Sequence, residues 1–568
     1  MTLLVAQALD EAAQACAEFG FTRTGERSWT GSFPLGGTIV PATLELPKRF
    51  PAALPIVRVT RDALPRRVPH VGRDGKICLA PSGVRLDIER PGEIVRAAVE
   101  RSKRVLADGL TDSADVELQR EFQAYWPRQG GDVGSICNAA GPSREVIWRT
   151  LESRARFGTL EAVVADDPRQ FREWAGRVGV RGVHCERALF VRLEQALPAP
   201  EFDDPMRVGE FIRKIRCRAP DASVFNSYLV KAQAKSLNVL LSMPDTSGES
   251  RIVVGLEFPL RPIPAMRRRP SQLIARVLQG HGPARGFAVR RLDADFLLAR
   301  VGLPTDLAKK TVTLVGCGAV GSACAFQLLA SGVGRVRLID PELLEEANVH
   351  RHAAGIRFVG RSKVEALQLM LGEHFPHAIV EPIREPIESV LERTPEAITG
   401  SDLIIIAVGD ETLELDLTKA LPRDLPRVHV WLEAYGLGGH VLEVPAPKAH
   451  GCYYCLFGRS HDDVFTNEAL FAADRQVFDK SLAGCAGTFT PYGAADATRA
   501  ACEAQRAALR VLAGNSSNTL TSWMEDLEDF LGRGFKVSAR ASGFKPGERQ
   551  STTRFARPGC PGCKDERA

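Results

Sequence analysis

The chain has 568 residues, long enough for roughly three or four domains of about 100–200 residues each. Its 74 basic and 69 acidic side chains leave a formal charge of only +5, which excludes the strong single-sign field of a nucleic-acid binder or a membrane-surface protein. Thirteen cysteines, scattered apart from two CxxC pairs, read as metal-binding and reactive thiols in a reducing compartment rather than as disulfides. With no signal peptide or apolar run of membrane length in sight, the cytoplasm is the expected location and no membrane partner is expected.

From Leu3 to Phe19, the positions Val5, Leu9, Ala12, Cys16 and Phe19 follow alternating steps of four and three, which predicts a helix. Thr38 to Leu46 and Ile56 to Val59 alternate as strands of an antiparallel meander, separated by LPKRFPAALP, whose prolines break any helix. Asp74-Gly75 is a turn signal with Cys78 just beyond it, and Glu93 to Ala107 is helical again. Taken alone, Cys78 between Ile77 and Leu79 reads as a buried core cysteine. The surrounding pattern reads otherwise. The first helix, the meander, the FPAALP bend, His70 and the DGKICL segment resemble the ubiquitin-conjugating fold of bacterial conjugating enzymes, over roughly residues 1–135. That resemblance implies an α+β domain in which Cys78 is the nucleophile that holds a thioester. Eukaryotic members have His-Pro-Asn where this chain reads His70-Val71-Gly72, so the oxyanion would fall to a backbone N–H or to His70 itself. The stretch Glu121 to Trp126 looks like the acidic-aromatic end of bacterial relatives, or simply a packed helix.

Residues 136–295 read as a linker and a small α+β domain. Helices are expected at Arg144–Phe157 and Arg169–Arg177, strands at Leu189–Leu193, Asn238–Ser242 and Arg251–Leu256, and a proline-rich connector at Leu260–Pro270. His184, Cys185 and Cys217 match no common metal-ligand spacing.

The run Thr311 to Val315 is β-branched and reads as a buried parallel strand, and GCGAVG (Gly316, Gly318, Gly321) opens an Ala- and Leu-rich helix. This is a phosphate cradle: glycines admit the backbone to a polyphosphate, a helix N-terminus supplies free N–H groups, and Asp340 closes the next strand where it can bond ribose hydroxyls. The loop alone fits NAD, FAD or ATP. Asn348, Arg351, Lys363 and Asp410, which follow in that order, favour ATP: the cations neutralise phosphates, the Asn bonds sugar or phosphate, and the carboxylate holds Mg²⁺. Cys452, Cys455, Cys560 and Cys563 form two CxxC pairs, enough for a closed, structural Cys₄ zinc site; a redox dithiol is the competing reading. Between them, Cys485 sits in SLAGCAGTFTPYG ahead of an Ala-rich helix, while Cys502 within that helix reads as core.

Residues 296–568 resemble the Rossmann-like, ThiF-type adenylating domain of the ubiquitin-activating superfamily and of bacterial sulfur-carrier adenylyltransferases. By that resemblance Gly316, Gly318, Gly321 and Asp340 hold ATP, Asn348, Arg351 and Lys363 contact its phosphates, and Asp410 binds Mg²⁺. Cys485 accepts the acyl group, and Arg300 is the candidate for an arginine reaching a dimer partner's site. The whole chain resembles bacterial activating–conjugating fusion enzymes, including those of CBASS antiphage operons. The resemblance implies adenylation of a protein's flexible C-terminus, thioester relay from Cys485 to Cys78, and transfer to a target lysine. It also implies a homodimer, a cGAS-like nucleotidyltransferase or ubiquitin-like protein as substrate, and a JAB-type protease as operon partner. A sulfur-carrier activator of thiamin or molybdopterin synthesis is the alternative; it leaves the N-terminal domain without a task.

Overall fold

The structure, a computed structural model, describes residues 2–72, 74–80, 84–122, 126, 132–152, 160–197, 208–216, 223–224, 227–228, 236–248, 250–259, 285–299, 305–446, 449–459, 465–478, 480–481 and 488–563. Cys217, Arg300, Cys485 and the expected connector at Leu260–Pro270 lie outside the described residues. The chain divides into two compact units, residues 1–171 with 182–292 and residues 172–181 with 293–568.

The first unit opens with the helix α1 (Thr2–Glu18), in which Ala12 and Cys16 of the expected stripe are buried together with Ala8 and Ala15, while Leu9 is part-buried. Strands β1 (Thr22–Arg23), β2 (Ser28–Leu35), β3 (Thr38–Glu45) and β4 (Ile56–Val59) follow as an antiparallel meander. Alternate residues of β3 are buried, as a sheet with one wet face requires. Helix α2 (Pro91–Asp108) starts on a proline, whose fixed φ suits a first helical turn, and packs Val95 and Val99 with Trp29, Phe33, Leu44 and Val57 in one core. Helix α3 (Ala114–Arg120) comes next.

The remainder of this unit is an eight-stranded mixed sheet. Its strands are β5 (Asp132–Ser135), β6 (Arg144–Leu151), β7 (Leu160–Ala165), β8 (Gly182–Arg192), β9 (Ser236–Pro244), β10 (Arg251–Pro259), β11 (Arg285–Phe287) and β12 (Val289–Arg291). They lie in the order β11-β10-β9-β8-β6-β7-β5-β12. The helix expected from Arg144 is therefore corrected: Arg144–Leu151 is a strand, antiparallel to both β7 and β8. A short run of Val146, Ile147, Trp148 and Thr150 fits either period, and pairing on both sides decides for the strand. The expected helix near Arg169 is present as Pro168–Val178. His184 and Cys185 are exposed on β8.

The second unit is built on β13 (Thr311–Val315), β14 (Arg335–Ile339), β15 (Ile379–Ile383), β16 (Leu403–Ile406), β17 (Arg427–Leu432) and β18 (Gly438–Val444). Two small hairpins follow, β19 (Phe457–Arg459) with β20 (Phe465–Asn467) and β21 (Lys480–Ser481) with β22 (Thr488–Phe489), before β23 (Thr519–Met524) and β24 (Arg549–Thr552) complete the main sheet. Its order is β15-β14-β13-β16-β17-β18-β23-β24, parallel through β17 and antiparallel beyond. Parallel strands covered on both faces read as unbroken apolar runs, and all four residues of β16 are buried. The helices Ala319–Ala330 and Ala494–Leu512 pack together on one face, where Ala497, Ala501, Ala504 and Ala508 let the backbone come close to Cys324 and Leu328. From β13 the chain turns to one side for β14 and β15 and returns to the other for β16. The C-terminal ends of β13 and β16 are therefore the switch point, where doubly wound sheets bind ligands. Among the described residues, no helix is long and apolar enough to cross a membrane.

Candidate active site

A cavity of about 520 Å³ lies at the switch point, lined by Gly316, Gly318, Asp340, Glu342, Arg351, Lys363 and Asp410 among others. Gly316 has φ +85°, and a Cβ there would sit 2.6 Å from the Ala407 carbonyl. At Gly321 a Cβ would come within 1.9 Å of the Gly316 carbonyl, so the first turn of the helix Ala319–Ala330 rests directly on the loop. Gly318 precedes that helix and lines the cavity, which aims the unpaired N–H groups of a twelve-residue helix at it.

Asp340 follows β14 and spends both carboxylate oxygens on backbone: Oδ2 accepts from Cys317 N–H (2.7 Å) and Oδ1 from Glu342 N–H (2.8 Å). Burial raises its carboxyl above the ordinary range, against the pull of those two donors and of Lys363. It is thus a brace of the glycine loop as well as part of the cavity wall. Lys363 opens the helix Lys363–His374; it is 6% exposed and pairs with Glu342, which is largely solvated. Arg351 reaches the same cavity, lies over the rings of Tyr492 (4.9 Å) and Phe489 (5.4 Å), and donates to the Thr490 carbonyl (3.3 Å). Asp410 caps the helix Glu411–Ala420, its Oδ1 accepting from Thr412 N–H (2.9 Å) and Leu413 N–H (3.1 Å).

Asn348 is placed differently from the other predicted groups. Its Oδ1 accepts from Glu345 N–H (3.0 Å) in a capping box, and the residue lines a neighbouring cavity of about 530 Å³ shared with Arg351, Tyr435, Phe489 and Tyr492. Cys485 falls between β21 and β22, outside the described residues, and Phe489 on β22 and Tyr492 beyond it are the rings that hold Arg351.

Sequence reasoning missed His352. It is buried, its Nδ1 accepts from Ala354 N–H (3.0 Å), and its Nε2–H therefore donates to the Cys317 carbonyl (2.9 Å). Burial pushes its pKa down to about 4, so the ring stays neutral and props the glycine loop. No periodicity marks it; only its place next to Arg351 hinted at the site.

Behind Asp410, Glu414 and His429 are both fully buried and bonded at 2.9 Å. Burial raises the carboxyl of Glu414 and lowers the imidazole of His429 to about 3, so desolvation favours the uncharged form of each. His429 stacks on Tyr453 (4.8 Å), which lies between Cys452 and Cys455. The four thiols Cys452, Cys455, Cys560 and Cys563 are buried and lie within 4.8 Å of one another, with Sγ–Sγ separations of 3.7, 3.6 and 3.4 Å for three of the pairs. A tetrahedron with metal–sulfur bonds near 2.3 Å has edges of about 3.8 Å, so the cluster fits a closed four-thiolate metal site.

In the first unit, Ile77 is buried while Cys78 is exposed, which removes the core-cysteine reading. His70, one of the groups expected at its oxyanion, is already partnered, and so is the N–H of Cys78 itself. The Cys78 N–H donates to the His70 carbonyl (2.8 Å), and the His70 ring nitrogens face Glu121 (2.7 Å) and Glu117 (3.7 Å). Cys502 is part-buried on the helix Ala494–Leu512.

Comparison with known proteins gives a family match for each part of the chain. Residues 293–522 match the ThiF family model and residues 5–132 match Prokaryotic E2 family B. The ATP-dependent ubiquitin transferase-like protein Cap2 of Pseudomonas aeruginosa is 25% identical over 540 residues, 87% of this chain and 91% of its own. Its namesake from Vibrio cholerae is 25% identical over 74% of this chain and 75% of its own. Among solved structures, E. coli MccB is 18% identical over 48% of this chain and 68% of its own, with a TM-score of 0.33. The chain is therefore an activating–conjugating fusion of the bacterial type, a prokaryotic E2 family B module followed by a ThiF family module.

Proposed function

We propose that this protein uses ATP to activate the C-terminal carboxylate of another protein, carries the acyl group from Cys485 to Cys78 as a thioester, and conjugates it to a lysine amine. The observation that carries this reading is the gathering of the glycine loop, Lys363, Arg351 and Asp410 around one cavity in a chain that also presents the exposed thiol of Cys78. Relatives named ATP-dependent ubiquitin transferase-like proteins, aligned over most of the chain, support it.

The cavity wall carries two cations, Arg351 and Lys363, against five carboxylates: Asp340, Glu342, Glu385, Glu388 and Asp410. A triphosphate enters such a site only with a divalent cation, and Asp410, with Oδ1 alone committed to its helix cap, is the group to hold Mg²⁺. Loop N–H groups, Lys363 and Arg351 hold the phosphates. The substrate carboxylate attacks the α-phosphorus and pyrophosphate leaves with its bridging oxygen. The Cys485 thiolate then takes the acyl group and releases AMP, and the Cys78 thiolate displaces Cys485. Finally a lysine nitrogen forms the amide, the Cys78 thiolate leaves, and the amine proton passes to water. Zinc suits the four thiolates as a structural ion that ties the C-terminal tail to the domain. We place residues 1–135, 136–295 and 296–568 in conjugating, linking and activating roles. The substrate is a protein with a flexible C-terminus, a cGAS-like nucleotidyltransferase or a ubiquitin-like protein, in bacterial antiphage defence. The sulfur-carrier alternative leaves residues 5–132, matched to a conjugating family, without a task.

The test is intact mass and non-reducing gel analysis of the full chain with ATP, Mg²⁺ and a candidate protein from its own operon. A thiol-sensitive adduct is expected in the wild type, none in Cys485→Ala, and an adduct stalled on Cys485 in Cys78→Ala. Pyrophosphate release with no adduct on any variant would overturn the relay.

A further inference from the structure

The Cys78 thiol stands at the end of a short hairpin whose other strand contains His70. Val71 and Ile77 form a bridge, and the Cys78 N–H donates to the His70 carbonyl at 2.8 Å. His70 holds a left-handed backbone, φ 63°, which few residues other than glycine adopt without help. The help comes from Glu121. Its Oε1 accepts from His70 Nδ1 at 2.7 Å and its Oε2 from the His70 backbone N–H at 3.3 Å, so one carboxylate grips both ends of the residue whose carbonyl pins Cys78. Glu117 of α3 faces Nε2 of the same ring at 3.7 Å.

The segment that carries these two carboxylates is anchored elsewhere. Leu118, Phe122 and Trp126 are buried, at 1%, 3% and 5% exposure, in the core of the eight-stranded sheet with Leu189, Val239 and Leu256. The Trp126 Nε1–H lies 3.2 Å from the carbonyls of both Gly255 and Phe287, on strands β10 and β11. One short segment therefore has its apolar side chains in the sheet domain and its acidic side chains on the cysteine hairpin.

We propose that Glu121 is a positioning residue for Cys78, and that the eight-stranded domain sets the conformation of the thiol-bearing hairpin through this segment. Glu121 stabilises the left-handed turn at His70, the turn directs the His70 carbonyl, and the carbonyl fixes the backbone from which the thiol projects. The consequence for catalysis rests on the reading of Cys78 as the conjugating thiol; the mechanics of the hairpin do not.

Two measurements on the full-length protein test this. The first is hydrogen–deuterium exchange of the peptide spanning residues 70–80. Glu121→Ala speeds its exchange by roughly tenfold, and Glu121→Gln, which keeps an amide oxygen as acceptor, by less. His70→Gly adopts φ 63° freely, so adding Glu121→Ala to His70→Gly produces little further change. That non-additivity separates a clamp acting through His70 from general loosening of the domain. Trp126→Phe, which removes the two indole hydrogen bonds, also speeds exchange at residues 70–80. The second measurement is discharge of the Cys78 thioester by hydroxylamine: the amine nitrogen bonds the acyl carbon, the C–S bond breaks, and the proton passes to buffer. Its rate falls in Glu121→Ala and recovers in part in Glu121→Gln. The clamp is overturned if Glu121→Ala leaves exchange within twofold of wild type, or if its effect is equally large in the His70→Gly background. The link to the sheet domain is overturned if Trp126→Phe leaves the peptide unchanged. Should no thioester form on Cys78 at all, the conjugation reading fails while the exchange data still decide the clamp.

Discussion

Replacing Lys363 by Met keeps most of the side-chain volume and removes one of the two cations in the cavity wall, leaving Arg351 alone among five carboxylates. The ammonium is nearly buried, so its field is only partly screened. At an effective dielectric constant near 20, a unit charge 4 Å from a phosphate oxygen is worth about 4 kcal/mol, and the dehydration of the ammonium on contact takes back part of that. A net loss of about 2–4 kcal/mol corresponds to a roughly 30- to 1,000-fold rise in Kd for Mg·ATP. The ion pair lost in the process is with Glu342, whose side chain is 67% exposed, and contributes less than about 1 kcal/mol to folding, so thermal unfolding stays close to wild type. Titration calorimetry of Mg·ATP into wild type, Lys363→Met and Lys363→Arg reads the effect directly, with Arg recovering part of the affinity. A Kd for folded Lys363→Met within threefold of wild type would remove Lys363 from the phosphate site.

The remaining predictions concern metal and pH. Elemental analysis is expected to find one zinc per chain, and Cys455→Ser to lose it and melt roughly 5–10 °C lower; a metal-free wild type of undiminished stability would refute the site. His352 has a folded pKa of about 4 against 6.5 when unfolded, so the unfolded chain binds the extra proton. Its contribution is complete above pH 6.5 and is lost as pH falls toward 4, by at most about 3 kcal/mol. Denaturant unfolding is expected to weaken less over this window in His352→Gln than in wild type, and equal slopes would refute the assignment.

Much of the second unit was legible because its signals are local. A β-branched run, a glycine loop and an Ala-rich helix specify a strand, a turn and a helix within about twenty residues, and the CxxC spacing needs only one long-range meeting to become a cluster. What escaped depends on contacts between distant segments. Arg144–Leu151 became a strand because β7 and β8 pair with it on both sides. The hydrogen bond that Asn348 Oδ1 accepts from Glu345 N–H belongs to the geometry of its own turn, which the motif does not carry. His352 supports Cys317 across 35 residues, and Glu121 grips His70 across 51, separations at which no spacing rule operates. Cys78 shows the opposite case, where local composition argued for burial and the turn beyond Asp74-Gly75 brought the thiol to the surface.

Arg351 has two claims on one guanidinium. It faces the cavity where a polyphosphate fits, and it also rests on Phe489 and Tyr492, the aromatic side chains just after the residues that include Cys485. Each such ring contact is worth about 0.5–2 kcal/mol, and a charged oxygen that draws the guanidinium away forfeits some of it. Binding at the cavity and the anchoring of the chain at residues 489–492 are thus linked quantities, and by reciprocity whatever loosens that segment strengthens the hold of Arg351 on an anion. A departing anion returns the guanidinium to its rings. Occupancy of the cavity and the seating of Phe489 and Tyr492 are coupled through the reach of one side chain.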